Sequence, residues 1–311
     1  MNKKIMAVLA ALTLVIPISA DAAILQNKTV AQPTIAILDT AIDTSVPFIK
    51  SNIVFEACVE QWATCPNGLS EMEGQNSATL PAKIISINGF DHGTIMASSA
   101  VQTNPNVKIV FVRIIGASKS GVRQPTSEQT VWAGLDWVIR NKARFNIQAV
   151  SLSMGHHDLG PAGTDYCPKK PITENKIKVL ADMNVPVFFP AGNARDYSRV
   201  DWPSCIKSAV TIAASTPNKE IAIYTNYDSS TVDFFANGTV ATFAPGNKLV
   251  NVAGTSASTV IAATQWATVA ANKPNLTYNE IYDLISKTSS SVSNSKITGG
   301  KLIDLGKALN G

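Results

Sequence analysis

Apolar residues cluster along this chain instead of spreading evenly. Five short runs rich in β-branched and aromatic residues stand apart: TIAIL (34–38), KIVFV (108–112), IQAVSL (147–152), VPVFF (185–189) and AVTIAA (209–214). Near-continuous runs of this length predict parallel strands buried on both faces. Between some of them the period lengthens. Residues 130–143, TVWAGLDWVIRNKA, place Val131, Leu135 and Val138 on one side of a helix. Residues 173–182, TENKIKVLAD, turn Ile177 and Leu180 inward behind a Thr173 cap. Alternation of strand and helix predicts an α/β fold, a mostly parallel central sheet with helices on both faces and right-handed crossovers. Residues 219–246 differ. IAIYTNY, TVDFFA and TVATFAP are short and broken by Asp, Asn and Gly, which predicts small antiparallel strands. Two more helices are expected, one starting near Ser256 and one over 277–287. No repeat or long linker divides the chain, so one domain is expected.

Composition narrows the class. Of 311 residues, 45% are hydrophobic and 15% charged, enough for a sizeable core. The formal net charge is +4, with no basic stripe interleaved with aromatics, so no nucleic-acid partner is expected. The N-terminus reads MNKK, then an apolar run from Ile5 to Ile18, then SADAA. That is the pattern of a secretory signal peptide over residues 1–22, cleaved near Ala22. The apolar run is short for a retained span, so no membrane association is expected after cleavage. The expected location is secreted or periplasmic.

Export makes the cysteines informative, because an even number in an oxidising compartment implies disulfides. Cys58, Cys65, Cys167 and Cys205 allow three connectivities. The preferred one is Cys58–Cys65, a short local loop, with Cys167–Cys205. A zinc site is the rival, but no paired C-x-x-C or nearby His supports it. No metal or cofactor is expected.

In an open α/β sheet, functional groups gather beyond the carboxyl ends of the strands. Asp39 follows TIAIL directly. Asp91-His92-Gly-Thr opens a helical pattern, and His92 is one of three histidines. Ala191-Gly-Asn193 follows VPVFF, and Gly254-Thr-Ser256 opens its own helix. Alone, Asp39 reads as a turn residue and Ser256 as a helix cap. Together, in the order Asp39, His92, Asn193, Ser256, the four blocks resemble the motifs of the subtilisin-like serine peptidases, the subtilases. The resemblance extends to VSLSMG (150–155), the FAPG turn (243–246) and most of residues 34–310.

The resemblance implies a serine endopeptidase with a subtilisin-like fold over residues 23–311. Ser256 would be the nucleophile, His92 its general base and Asp39 the group that orients the imidazole. The Asn193 amide and the Ser256 N–H would hold the oxyanion. Ser151, Leu152, Ser153, Met154 and Gly155 would form the strand on which an extended peptide lies, with Gly121 on the opposing strand. The partner would be a protein or peptide substrate. Structural calcium is frequent in the family, but no dense Asp/Glu loop marks a site. Only about ten residues separate Ala22 from TIAIL, too few for an inhibitory domain. The expectation is therefore no long propeptide, with two alternatives: a chain that folds unaided, helped by its disulfides, or one restrained by a separate protein inhibitor.

The chain departs from the family pattern at four places. Ala41 stands where a glycine is usual and would be strained at positive φ. Ile95 replaces a second His, Ala257 a common Met and Val260 a common Pro. The alternative reading is a catalytically weak homologue that binds extended peptides. A lipase or esterase on an α/β-hydrolase fold fits poorly, because GTSAS lacks the second Gly and the acid precedes the serine.

Ala257 supplies no sulfur next to the nucleophile. Mild peroxide is therefore expected to leave kcat largely intact, whereas Ala257→Met introduces peroxide sensitivity through a bulkier, polar sulfoxide. Oxidation of Met154 should raise KM more than it lowers kcat. Both constants measured before and after peroxide check this, and a parent that loses kcat as steeply as the variant contradicts it.

Overall fold

Strand β1 (Thr34–Asp39) is buried along its whole length inside a ten-stranded sheet. The computed structural model describes residues 32–87, 89–118, 121–156 and 167–311; the signal peptide expected at 1–22 lies outside them. Along the chain follow β2 (Ile53–Val59), β3 (Glu71–Glu73), β4 (Lys108–Arg113), β5 (Ala149–Ser151), β6 (Val187–Pro190) and β7 (Val210–Ser215). Then come β8 (Phe234–Asn237), β9 (Thr239–Ala244), β10 (Lys248–Ala253), β11 (Ser290–Val292) and β12 (Gly300–Leu302). The sheet order is β11-β12-β8-β7-β6-β5-β1-β4-β2-β3. Only the outermost pairs, β2–β3 and β11–β12, are antiparallel. β1 pairs in parallel with β4 on one side and β5 on the other, Ile37 lying level with Phe111 and with Ser151. The chain winds outward from β1 in both directions, so a crevice opens at the carboxyl end of β1.

The five runs read from the sequence are β1, β4, β5, β6 and β7, five neighbouring strands. Alternate residues of β1 face two different cores. Ile35 and Ile37 pack with helices His92–Thr103 and Thr255–Asn272. Ala36 and Leu38 pack with helices Glu128–Phe145 and Pro171–Asp182. Helices thus cover both faces. Val131, Leu135, Val138, Ile177 and Leu180 are all fully buried. Thr173 is not the cap expected of it: Pro171 begins that helix, whose fixed φ suits the first position, and Thr173 is buried in the first turn. Helix Tyr278–Thr288 starts as read, with Thr277 and Glu280 forming a capping box.

Residues 219–246 resolve differently from the expected set of hairpins. IAIYTNY is irregular, apart from one bridge between Ile221 and Ser215. TVDFFA supplies β8, which joins the main sheet parallel to β7 because Phe234, Phe235 and Ala236 are buried. The antiparallel pair is β9 with β10, turning through Pro245–Asn247. Gly246 adopts φ +71° in that turn, and its N–H donates to Asp43 at 2.8 Å. The cysteines pair as Cys58–Cys65 and Cys167–Cys205. No helix among the described residues is long and apolar enough to cross a membrane.

Gly93 fixes how closely the His92 helix approaches β1. A Cβ there would overlap both the Ala41 carbonyl and the ring of Phe111, which are fully buried. Gly93→Ala is expected to cost ~1–3 kcal/mol of stability by overpacking. Denaturant unfolding measures this; an unchanged midpoint contradicts it.

Candidate active site

Asp39 ends β1 with its side chain fully buried. A buried carboxylate needs donors, and this one has them. The Thr40 N–H donates to Oδ1 at 2.7 Å. His92, first residue of its helix, lies with Nδ1 2.8 Å from Oδ1 and 3.0 Å from Oδ2. With Nδ1–H donating to this carboxylate, the neutral ring would carry its lone pair on Nε2. The Thr40 hydroxyl accepts from the Gly93 N–H at 3.1 Å and lies 3.0 Å from the Phe90 carbonyl. It therefore ties the end of β1 to the start of the His92 helix. The His92 side chain keeps 26% of its exposure. Burial disfavours the imidazolium, but the charge of Asp39 and its hydrogen bond outweigh this and hold the His92 pKa above 6.5.

Asn193 follows β6 in a glycine turn, Gly192 having φ +112°. Its Oδ1 accepts from the Thr255 N–H at 2.9 Å and from the Thr255 hydroxyl at 3.0 Å. Those donors fix which side of the amide is oxygen, so Nδ2 faces the other way. Gly254 occupies the N-cap of helix Thr255–Asn272 and has no side chain to cap it. Asn193 performs that task from a distant strand. Ser256 is the second residue of this helix, where a backbone N–H has no intrahelical acceptor.

His92, Asn193, Gly254 and Ser256 line one cleft of about 430 Å³. Ile95 and Met96 form one wall and Val250–Ala253 of β10 another, with Ala257 beside Ser256. Ser256 Oγ donates to the Ser153 carbonyl at 3.2 Å, and among the described residues no hydrogen bond joins it to His92. Ser153 returns the contact, its hydroxyl donating to the Ser256 carbonyl at 3.0 Å.

The residues read as a peptide-binding strand divide into two groups. Ser151 and Leu152 are fully buried, and Leu152 N–H donates to Phe188 within the sheet. Ser153, Met154 and Gly155 continue past the sheet toward the cleft. Met154 Sδ accepts from Arg123 Nη2 at 3.1 Å. Gly121 sits at a turn with φ +80°, and Arg123, two residues on, is the one that reaches Met154. Ala41 escapes the expected strain, since its φ is not positive.

Three contributors were not read from the sequence. Thr40 and Thr255 lie inside the quoted tripeptides, but a hydroxyl in a turn does not announce its partner. Asp201, whose carboxylate lies against Gly192, belongs to no motif. Among the described residues no group of three or more His, Cys, Asp or Glu could hold a metal ion.

A subtilisin-like protease of Coccidioides posadasii is 30% identical over 187 residues, 58% of this chain and 41% of its own length. An alkaline protease of Alkalihalobacillus alcalophilus is 24% identical over 235 residues, 72% of this chain and 56% of its own length. The chain thus spans about half the length of these curated relatives. The solved structure of the epidermin leader peptide processing serine protease of Staphylococcus aureus shares the fold, with a TM-score of 0.72. That match covers 94% of this chain and 78% of the other at 17% identity. The subtilase family model matches residues 31–302, and the chain belongs to the subtilase family.

Proposed function

We propose that the protein is an exported serine endopeptidase. The observation that carries this is the lock of His92 Nδ1 onto buried Asp39 in the cleft that holds Ser256 and an oriented Asn193 amide. A lone structural histidine needs no such neighbours.

In the proposed reaction, Ser256 Oγ rotates about χ1 from the Ser153 carbonyl toward His92 Nε2. Nε2 takes the hydroxyl proton as Oγ attacks the peptide carbonyl carbon, and the carbonyl π pair moves onto oxygen. Asn193 Nδ2 and the Ser256 N–H donate to that oxygen; their fixed dipoles cost no reorganisation. His92 then passes the proton to the leaving nitrogen and the C–N bond breaks, leaving an acyl-Ser256 ester. Water, deprotonated by the same Nε2, hydrolyses the ester. Asp39 stays ionised and stabilises the imidazolium. An extended peptide would lie along Ser153–Gly155, paired through its main chain, which gives affinity with little demand on sequence.

The second reading is a homologue that binds peptides with little turnover. What favours it is the Ser256 hydroxyl resting on the Ser153 carbonyl instead of His92. The two readings separate on a fluorophosphonate probe. The peptidase reading expects covalent labelling of the parent and none of Ser256→Ala. An unlabelled, folded parent leaves the binding reading.

Two further outcomes follow. Asn193→Ala should lower kcat by about 10²–10³, the size of the corresponding loss in subtilisin, with KM little changed. The base must be neutral, so kcat/KM should fall on the acid side through a pKa above 6.5. Asp39→Asn removes the charge that raises this pKa while burial remains, so the acid limb should move to lower pH as the rate drops. A limb that stays in place contradicts the assignment of His92 as base.

A further inference from the structure

We infer that the buried Glu60–Arg113 pair is a positioning device for the cleft: it seats the base of the loop whose described arms are 116–118 and 121–124, and through Arg123 sets how tightly an extended peptide is held. The role in peptide binding rests on the reading above. The pair lies level with Asp39. Arg113 ends β4 beside Asp39 of β1 and Cys58 of β2, and the next N–H, that of Ile114, donates to the Asp39 carbonyl at 2.9 Å. The guanidinium gathers the neighbouring segments. Nη1 donates to the Thr79 carbonyl at 3.2 Å, and Nη2 to the Thr64 carbonyl at 3.2 Å and to Cys58 Sγ at 3.0 Å. Glu60, one residue past β2, faces it with Oε1 3.4 Å from Nε, both side chains being buried. Neither of those two atoms makes a hydrogen bond, so what joins them is charge.

Gly116 is where this pair meets the loop. A Cβ there would stand 2.6 Å from Glu60 Oε1 and 2.9 Å from the Ala63 Cβ, so the backbone closes directly on the carboxyl. From that joint the two arms pair. Gln124 N–H donates to the Gly116 carbonyl at 3.0 Å, Ser118 N–H to the Val122 carbonyl at 2.8 Å, and Ala117 bridges Arg123. Arg123 carries the position to the cleft. Its Nη2 donates to Met154 Sδ at 3.1 Å, and its Cδ lies 3.3 Å from where a Cβ on Gly89 would be, Gly89 being part of the cleft wall. His92 feels the charge of Arg123 as well. Ionised, Glu60 attracts Arg113. Neutral, it leaves Arg113 a buried cation without a counter-charge, and the joint loosens. Burial puts the Glu60 pKa at about 7, so the pair engages as pH rises through neutrality, at a cost to the stability of the whole fold. Arg113 is the charged group that faces Glu60; Ala63 and Gly116 are the other groups against it.

The test compares the parent with Glu60→Gln, which keeps the shape and removes the charge. The substrate is a coumarin amide, the best that the parent cleaves from a positional tetrapeptide library. At about pH 8.5 the variant's KM should be about threefold or more above the parent's, with kcat within about twofold. As pH falls to about 5.5 the parent's Glu60 becomes neutral too, so the ratio of the two KM values should close to about one. His92 titrates in both proteins and drops out of that ratio. Equal KM values at the alkaline end, or a ratio that ignores pH, overturns the proposal. Gly116→Ala presses on the same joint without altering a charge, and it decides the matter should Glu60→Gln not fold. It should raise KM by a similar factor at the alkaline end; the parent's KM there overturns the proposal. Fluorophosphonate labelling reports on the peptidase reading separately. Should no amide be cleaved, binding of denatured casein to Ser256→Ala protein is measured at both pH values, with and without Glu60→Gln. Weaker binding by the double variant at the alkaline end alone supports the role of the pair; any other pattern overturns it.

Discussion

The buried hydrogen bond between Asp39 and His92 is the constraint on which the rest of the molecule depends. A carboxylate with no exposure is costly unless its oxygens are filled. Here the donors come from the next residue and from a helix that begins 53 residues later in the chain. Holding that helix start against the strand end requires close packing. Gly93 supplies it by having no side chain, and Thr40 supplies the polar tie between the two elements. The sheet order contributes as well. β1 lies between β4 and β5, so its carboxyl end opens where the chain winds away in both directions. The same acid on an outer strand would have neither the burial nor the crevice.

A similar economy holds on the other side of the cleft. The helix carrying Ser256 has a glycine at its N-cap, which leaves its first N–H groups without a local acceptor. Asn193 takes one of them, and in doing so its amide becomes oriented. Capping the helix and aiming the donor are one interaction. The glycine that weakens the cap also keeps the space open, since a Cβ on Gly254 would stand 3.8 Å from both atoms of the Asn193 amide. The FAPG turn adds a third tie, from Gly246 to Asp43, that sets the β9–β10 wall against the segment after β1.

How much of this could be read in advance follows from burial. β1, β4, β5, β6 and β7 are buried almost throughout, so their apolar runs are nearly continuous and visible. β3 reads EME and β11 reads SSV, short outer strands whose side chains face solvent in part and carry no pattern. β2 bulges between Ile53 and Phe55, which breaks its alternation. β8 was visible as a strand but not as a member of the parallel sheet, because the turn residues around it also fit a hairpin. The four motif residues were legible because each sits beside glycine or threonine at an element end. Thr40, Thr255 and Asp201 were not. Their roles depend on partners at 93, 193 and 192, and nothing in a local sequence distinguishes such residues from ordinary turn residues.

The electrostatics pull stability and chemistry in opposite directions. Burial raises the pKa of Glu60 to about 7 against the opposing pull of Arg113, 3.4 Å away. Glu56 is also raised by burial, which outweighs the bonds it accepts from Asn76 and Ala78. A carboxyl raised in the folded state contributes stability that is whole below its unfolded pKa near 4.5 and is lost as pH climbs through the folded value. His92, raised above 6.5, acts in the same sense: its contribution is complete below 6.5 and is lost above its folded pKa. Asp43 opposes them only in acid. Burial pushes it up, but bonds from Ser45 and Gly246 bring it below 3.8, so its stabilisation fades only as pH falls through that lower value. From about pH 4.5 upward Glu56 and Glu60 draw stability down as the solution becomes more alkaline, and from about 6.5 His92 joins them. The proposed chemistry needs the reverse, a neutral His92 whose Nε2 can take a proton. The Asp39 charge that stabilises the imidazolium during reaction also delays the pH at which the free base exists. The proposed working range is therefore bounded below by His92, over the same climb in pH that removes the stabilisation contributed by Glu60.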